Sequence, residues 1–185
     1  MKGFEMMNRT ELVIAKAFWQ LLEEKPYSKI TVKNIVERCE INRNTFYYHF
    51  HDIPDLLDRI LKRNANDIIN KSNHFDNLID CFIPIVEDCN KRKKAILNVY
   101  HSIQREIFVE HLNKIALYIS EQYTELLTKD INILDQDKKL LIRFNKCVIV
   151  GIILDWLDSD ANYDLITSFT RIYQILVTNN KKLFY

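Results

Sequence analysis

Apolar residues recur every three to four positions along almost the whole chain, the period of helices with one buried face. Leu12, Ala15, Phe18, Trp19 and Leu22 mark the first such face, which runs to Glu24 before Pro26 closes it. Asn8 and Glu11 stand at capping-box spacing at its start. Thr31 is placed to cap a second helix over 32–39, with Val32, Ile35 and Val36 on one side. Asn42 caps a third over 43–50. Asp52 caps a fourth, with Pro54 in its first turn, where a missing N–H costs little. Leu56, Leu57, Ile60, Leu61, Ile68 and Ile69 carry that helix to about residue 70.

The polar stretch 70–74 reads as a hinge. Beyond it the same period predicts a helix over 75–89 kinked at Pro84, another over 93–103, and a long amphipathic helix over 105–129. A turn at 132–137 precedes a helix over 138–157 that is apolar nearly all round at its centre. A break at 158–162 leads to a last helix over 163–178. No alternating run is long enough for a strand, so the expected fold class is all-α. Three segments follow: 1–52, a connecting helix 53–73, and a helical region 74–185.

Composition mainly excludes. With two glycines in 185 residues, neither a dinucleotide fingerprint, a P-loop nor a G-x-S-x-G elbow can be written. H-E-x-x-H, C-x-x-C and Glu-x-x-His are also missing, so no catalytic residue, metal site or cofactor is predicted. No run of eighteen apolar residues suggests a membrane span. The N-terminus lacks an apolar signal segment, and the expected location is cytoplasmic. Cys39, Cys81, Cys89 and Cys147 then read as reduced thiols; for Cys81, Cys89 and Cys147 a redox-sensing role stays open beside the commoner buried structural one. His101 and His111 read as ordinary surface or core histidines, and the basic run 90–94 as a solvated helix start. A net charge of +1 excludes a globally basic polyanion binder but leaves room for a local patch.

Residues 31–50 have helix-turn-helix spacing. Phe46 and Phe50, four apart, share one face and should enter a core with Ile35, Val36, Phe18 and Trp19. Arg43, Asn44, Tyr47 and Tyr48 then face outward. Arg43 offers a bidentate fork to guanine, and Asn44 can pair with adenine. Thr45, Tyr47, Tyr48 and His49 can donate to phosphates or pack on sugars. The helix N-terminus adds the positive end of a dipole. Lys29, Lys33 and Arg38 could flank the groove.

The string KITVKNIVERCEINRNTFYYHFHDIPDLL resembles the DNA-binding segment of TetR-family transcriptional regulators. Thr31, Asn42, Thr45, Phe46, Tyr47, His49 and Phe50 match its pattern, and the resemblance covers about residues 8–60. Beyond that only the helical architecture is similar. The expected DNA-binding set is Thr31, Lys33, Asn42, Arg43, Asn44, Thr45, Tyr47, Tyr48 and His49. Two positions depart from the family. Glu40 replaces the usual turn glycine, and Ile53 replaces a phosphate-touching lysine, with His51 a weak substitute. Fewer cations imply weaker binding or strong salt sensitivity.

A single helix-turn-helix covers a half-site, so a two-fold homodimer on a palindromic duplex is expected. The helix at 138–157 needs cover on more than one side, and mid-helix Gly151 invites close approach of another helix. The resemblance implies dimerisation through the last two helices, here through Phe144, Val148, Gly151, Ile152, Asp155 and Ile172. The alternative is a central helix of a monomeric core. The resemblance also implies a small-molecule effector, still unknown, among Phe82, Tyr100, Tyr118 and Tyr123, although aromatics at this spacing also make plain core. The function it implies is a sequence-specific DNA-binding transcriptional regulator, a repressor released by that effector. The competing reading is an all-α scaffold or enzyme using the helix-turn-helix for protein contacts.

Overall fold

Side-chain caps begin the N-terminal helices where the sequence places them. Asn8 Oδ1 accepts the Glu11 N–H at 3.0 Å, and the Glu11 carboxylate accepts the Asn8 N–H at 2.7 Å, closing a capping box. Thr31 and Asn34 close a second box, and Asp52 accepts the Asp55 N–H at 2.8 Å. The computed structural model describes residues 7–71, 78–130 and 132–178, without the side chains at 69–82, 173 and 176–178. Most of the expected hinge at 70–74 and the side chains of Cys81 and Phe82 therefore lie outside the described residues.

Among the described residues the structure is all helical, with no strand. The helices are α1 (Arg9–Glu24), α2 (Val32–Cys39), α3 (Arg43–His49), α4 (Ile53–Lys71), α5 (Leu78–Lys91), α6 (Lys93–Tyr100), α7 (Arg105–Thr128), α8 (Asp135–Asp158) and α9 (Leu165–Thr178). A single 3-10 turn, Tyr27–Lys29, follows α1. Helix α5 continues through Pro84. Helix α8 begins earlier than its apolar pattern, because Asp135 and Asp137 suit the positive end of its dipole. Helix α9 begins at Leu165, because Asp164 caps it by accepting the Thr167 N–H at 3.0 Å.

The chain forms two compact units. One holds residues up to Asn64 together with Arg92–Val109, and the other holds Ala65–Lys91 together with the chain from Glu110 onward. The first unit seals Ile14, Phe18, Leu22, Ile35, Phe46, Phe50, Leu56 and Leu57 in its core. Helix α6 joins this unit by capping α1 from outside. Asn98 Nδ2 donates to the Leu22 carbonyl at 2.7 Å, one of those a helix leaves open in its last turn. The Ala95 N–H donates to Glu23, and the Arg92 guanidinium lies 5.0 Å from the Trp19 ring centroid. Trp19 is therefore half-buried beneath an arginine, not sealed beside Phe46 as its spacing suggests.

In the second unit, α7 and α8 are joined by polar contacts. Asn145 Nδ2 reaches Thr124 Oγ1 at 3.5 Å, Lys146 Nζ reaches Asn113 at 3.2 Å, and Lys138 pairs with Glu125 at 2.7 Å. The buried side of α8 carries Ile149, Ile153, Trp156 and Leu157.

Two local features of the first unit generate tests. Glu40 ends α2 in the left-handed region, φ 55° and ψ 39°, where a Cβ is unfavourable. Glu40→Gly is expected to stabilise the fold by about 1 kcal/mol, raising Tm by roughly 3 °C in a thermal melt. A lower Tm would contradict this. The second feature is Tyr27, whose sealed hydroxyl has no hydrogen-bond partner among the described residues. Burial, aided by the Asp52 charge, pushes its phenol up from 10.0 to about 12. The folded state keeps the phenol neutral where the unfolded chain already ionises, so stability is lost as pH rises from 10 to 12. Melting curves should show a shallower decline across that window for Tyr27→Phe than for the wild type. Equal slopes would contradict it.

Candidate nucleic-acid interface

Helix α3 has seven residues, and two rings set its orientation. Phe46 and the C-capping Phe50 are sealed, at 0% and 1% exposure, with ring centroids 5.8 Å apart. Their burial turns the opposite side of α3 to solvent. Arg43 and Asn44 are exposed, Tyr47 is 56% exposed and Tyr48 is 85% exposed. The four outward residues expected from the helical period are thus brought together on one surface. A helix of about 10–12 Å diameter with such side chains matches the roughly 12 Å width of a B-form major groove.

Other members of the expected set build the motif. Asn42 Oδ1 accepts the Thr45 N–H at 2.8 Å and the Thr45 hydroxyl at 3.1 Å, so their polar ends face each other at the start of α3. Thr31 spends its hydroxyl on Asn34, with Oγ1 accepting the Asn34 N–H at 3.2 Å. Lys33 is exposed and stands 3.7 Å from Glu37, one turn along the same helix. Arg38 forks onto both oxygens of Glu24 at 2.5 and 2.6 Å. That hydrogen-bonded fork holds the Glu24 carboxyl below the usual range and the Arg38 guanidinium above its own. Arg38 is therefore committed within the chain rather than available as a flanking cation. Arg43 and Lys29 are exposed and enter none of the described ion pairs.

His49 sits apart from the exposed set. Its side chain is 11% exposed, with Nδ1 3.7 Å from Glu11 Oε1 and 3.5 Å from Asn8 Nδ2. The last turn of α3 meets the first turn of α1 there, a tertiary meeting that helical spacing does not report. Arg59 of α4 joins the cluster, with NH1 3.8 Å from Glu11 Oε1 and Nε 3.1 Å from Asp55 Oδ1. Its guanidinium also lies 5.5 Å from the Phe50 centroid. The one sequence signal for Arg59 was its place four residues after Asp55.

Where the family has a lysine, Ile53 is half-buried at the start of α4. The neighbouring His51 side chain is 88% exposed, with Nδ1 2.9 Å from Asp52 Oδ2. The Asp55 N–H first, and His51 second, hold the Asp52 carboxyl below its usual range.

The residues expected at a dimer face lie in the second unit. Phe144 and Ile172 are 65% and 50% exposed, Gly151 and Asp155 are exposed, and Val148 and Ile152 are half-buried. Leu140 and Ile175 are also exposed, at 63% and 43%. A Cβ placed on Gly151 would meet nothing within 4 Å. Of the aromatics expected around an effector, Tyr100 falls in the first unit, sealed and bonded through its hydroxyl to Arg105. Tyr118 and Tyr123 fall in the second. Cys89 is buried and Cys147 exposed. Among the described residues no three His, Cys, Asp or Glu stand together as a metal site, and no helix is long and apolar enough to cross a membrane.

Comparison with known proteins places these features. Residues 14–60 match the model of bacterial regulatory proteins of the tetR family, and residues 76–178 match a transcriptional regulator C-terminal region. The HTH-type dhaKLM operon transcriptional activator DhaS of Lactococcus lactis is 23% identical over 77% of this chain and 76% of its own. The HTH-type transcriptional regulator YxbF of Bacillus subtilis is 28% identical over 81% of this chain, a match spanning only 40% of YxbF. Among solved structures, the dihydroxyacetone kinase operon activator DhaS shares the fold at a TM-score of 0.78, with 20% identity over 94% of this chain and 97% of its own. The Bacillus subtilis regulator FadR, solved with stearoyl-CoA, does so at 0.65, with 18% identity over 90% and 97%.

Proposed function

The chain belongs to the TetR family of bacterial transcriptional regulators, and from that premise we propose that it represses its target genes as a homodimer on a palindromic operator and is released by a small-molecule effector. The observation that carries this reading is the outward set of α3, held by two buried rings. Arg43 forks onto a guanine and Asn44 pairs with an adenine in the major groove. Tyr47 and Tyr48 contact phosphates and sugars, with Lys33 at the flank. Thr31, Asn42 and Thr45 serve the same surface by fixing the first turns of α2 and α3, whose N–H groups face the backbone.

The apolar surface of α8 and α9 supports a second copy as its cover. Phe144, Val148, Gly151, Ile152, Asp155 and Ile172 form that interface, and the space at Gly151 lets a partner helix approach closely. Two reading heads then meet successive major grooves about 34 Å apart. The stearoyl-CoA bound to FadR supports a small-molecule effector for this fold, with Tyr118 and Tyr123 as candidate contacts. Activation is the second reading, favoured by DhaS being named an activator. A reporter fused to the bound promoter separates the two modes. No catalytic role is assigned.

Two measurements test the proposal. Arg43→Ala should cost about 1–3 kcal/mol in a mobility-shift titration and relax preference at one base position. Unchanged affinity and unchanged selectivity would remove Arg43 from the interface. Phe144→Glu should convert the dimer to monomer in sedimentation velocity at micromolar concentration. An intact dimer would place the interface elsewhere.

A further inference from the structure

The pair that caps α1 also controls a ring on the reading helix. Asn8 Oδ1 is fixed as the amide oxygen because it accepts the Glu11 N–H at 3.0 Å. The amide nitrogen is therefore the end that stands 3.5 Å from His49 Nδ1. An amide NH2 only donates, so a neutral His49 accepts at Nδ1 and carries its proton on Nε2. A protonated His49 instead presents Nδ1–H to Glu11 Oε1, 3.7 Å away, and again carries a proton on Nε2. Glu11 is held for this role, its other oxygen taking the Asn8 N–H at 2.7 Å and Arg59 standing 3.8 Å from Oε1. In both states Nε2 is a donor. It has no hydrogen-bonding partner among the described residues, and it is not among the sealed polar atoms.

We propose that Asn8 and Glu11 are positioning residues for DNA binding, holding His49 with Nε2–H as a donor to a backbone phosphate. The phosphate is recognised by one N–H whose proton the α1 cap has already placed. This rests on the reading of α3 as the DNA-reading helix, and the experiment separates the two.

The probe is a duplex enriched by the wild-type protein from a random-sequence pool. Asn8→Ser keeps a capping oxygen and removes the amide donor. Glu11→Gln keeps the capping box and removes the charge. Asn8→Ser and His49→Ala are each expected to weaken binding about three- to tenfold, and the double variant no more than either alone. Glu11→Gln paired with His49→Ala should be non-additive in the same way, which covers an Asn8→Ser protein that fails to fold. Long-range ¹⁵N–¹H spectra of the wild type should show His49 protonated at Nε2. Independent losses that multiply in the double variants, or a ring protonated only at Nδ1, would overturn the proposal. A wild type that binds while all three single variants bind equally well would overturn it alone. A wild type that enriches no duplex would overturn the DNA reading as well.

Discussion

The burial of Phe46 and Phe50 is the constraint on which the candidate interface depends. Seven residues are too few for a helix to persist unaided, since nucleation is costly and short helices are marginal in water. Helix α3 exists because its two rings are sealed in the core of the first unit, each burial contributing about 1.5–3 kcal/mol. A seven-residue helix anchored at two points one turn apart has one rotational setting. That setting faces Arg43, Asn44, Tyr47 and Tyr48 outward, so hydrophobic packing decides where the polar chemistry points.

Charge adds orientation more than strength. The pairs around the motif, Arg38 with Glu24, Lys33 with Glu37 and Arg59 with Asp55, are surface or partly exposed and individually worth little. Their effect is selective: Arg38 is withdrawn from the flank, and Arg43 enters no described pair. With Ile53 where a lysine is usual, the proposed reading surface has few cations beside it. On the proposed reading, hydrogen-bonding groups of fixed direction carry more of the contact, His49 among them.

The local rules were readable from sequence, because each acts within four residues. Asn8, Thr31, Asn42 and Asp52 each begin a helix by such a rule, and the resemblance marked Glu40 as standing where the family has a turn glycine. The outward set on α3 was readable because period and two phenylalanines suffice to orient it. What stayed hidden is tertiary. Nothing near Asn98 says that its amide will close the end of α1, and nothing near Trp19 announces Arg92. The inward contacts of His49 stayed hidden for the same reason: its partners Asn8 and Glu11 are about forty positions away. The grouping of 92–109 with the N-terminal unit follows from those contacts, not from any change in composition.

Photo-cross-linking of the full-length protein to its enriched duplex, read out by mass spectrometry of the attached peptides, addresses the central claim most directly. Covalent adducts should concentrate on residues 43–48, with Phe46 unmodified between them. Adducts spread over α5 to α9, or on Phe46 while Arg43, Asn44 and Tyr47 stay clean, would contradict the account.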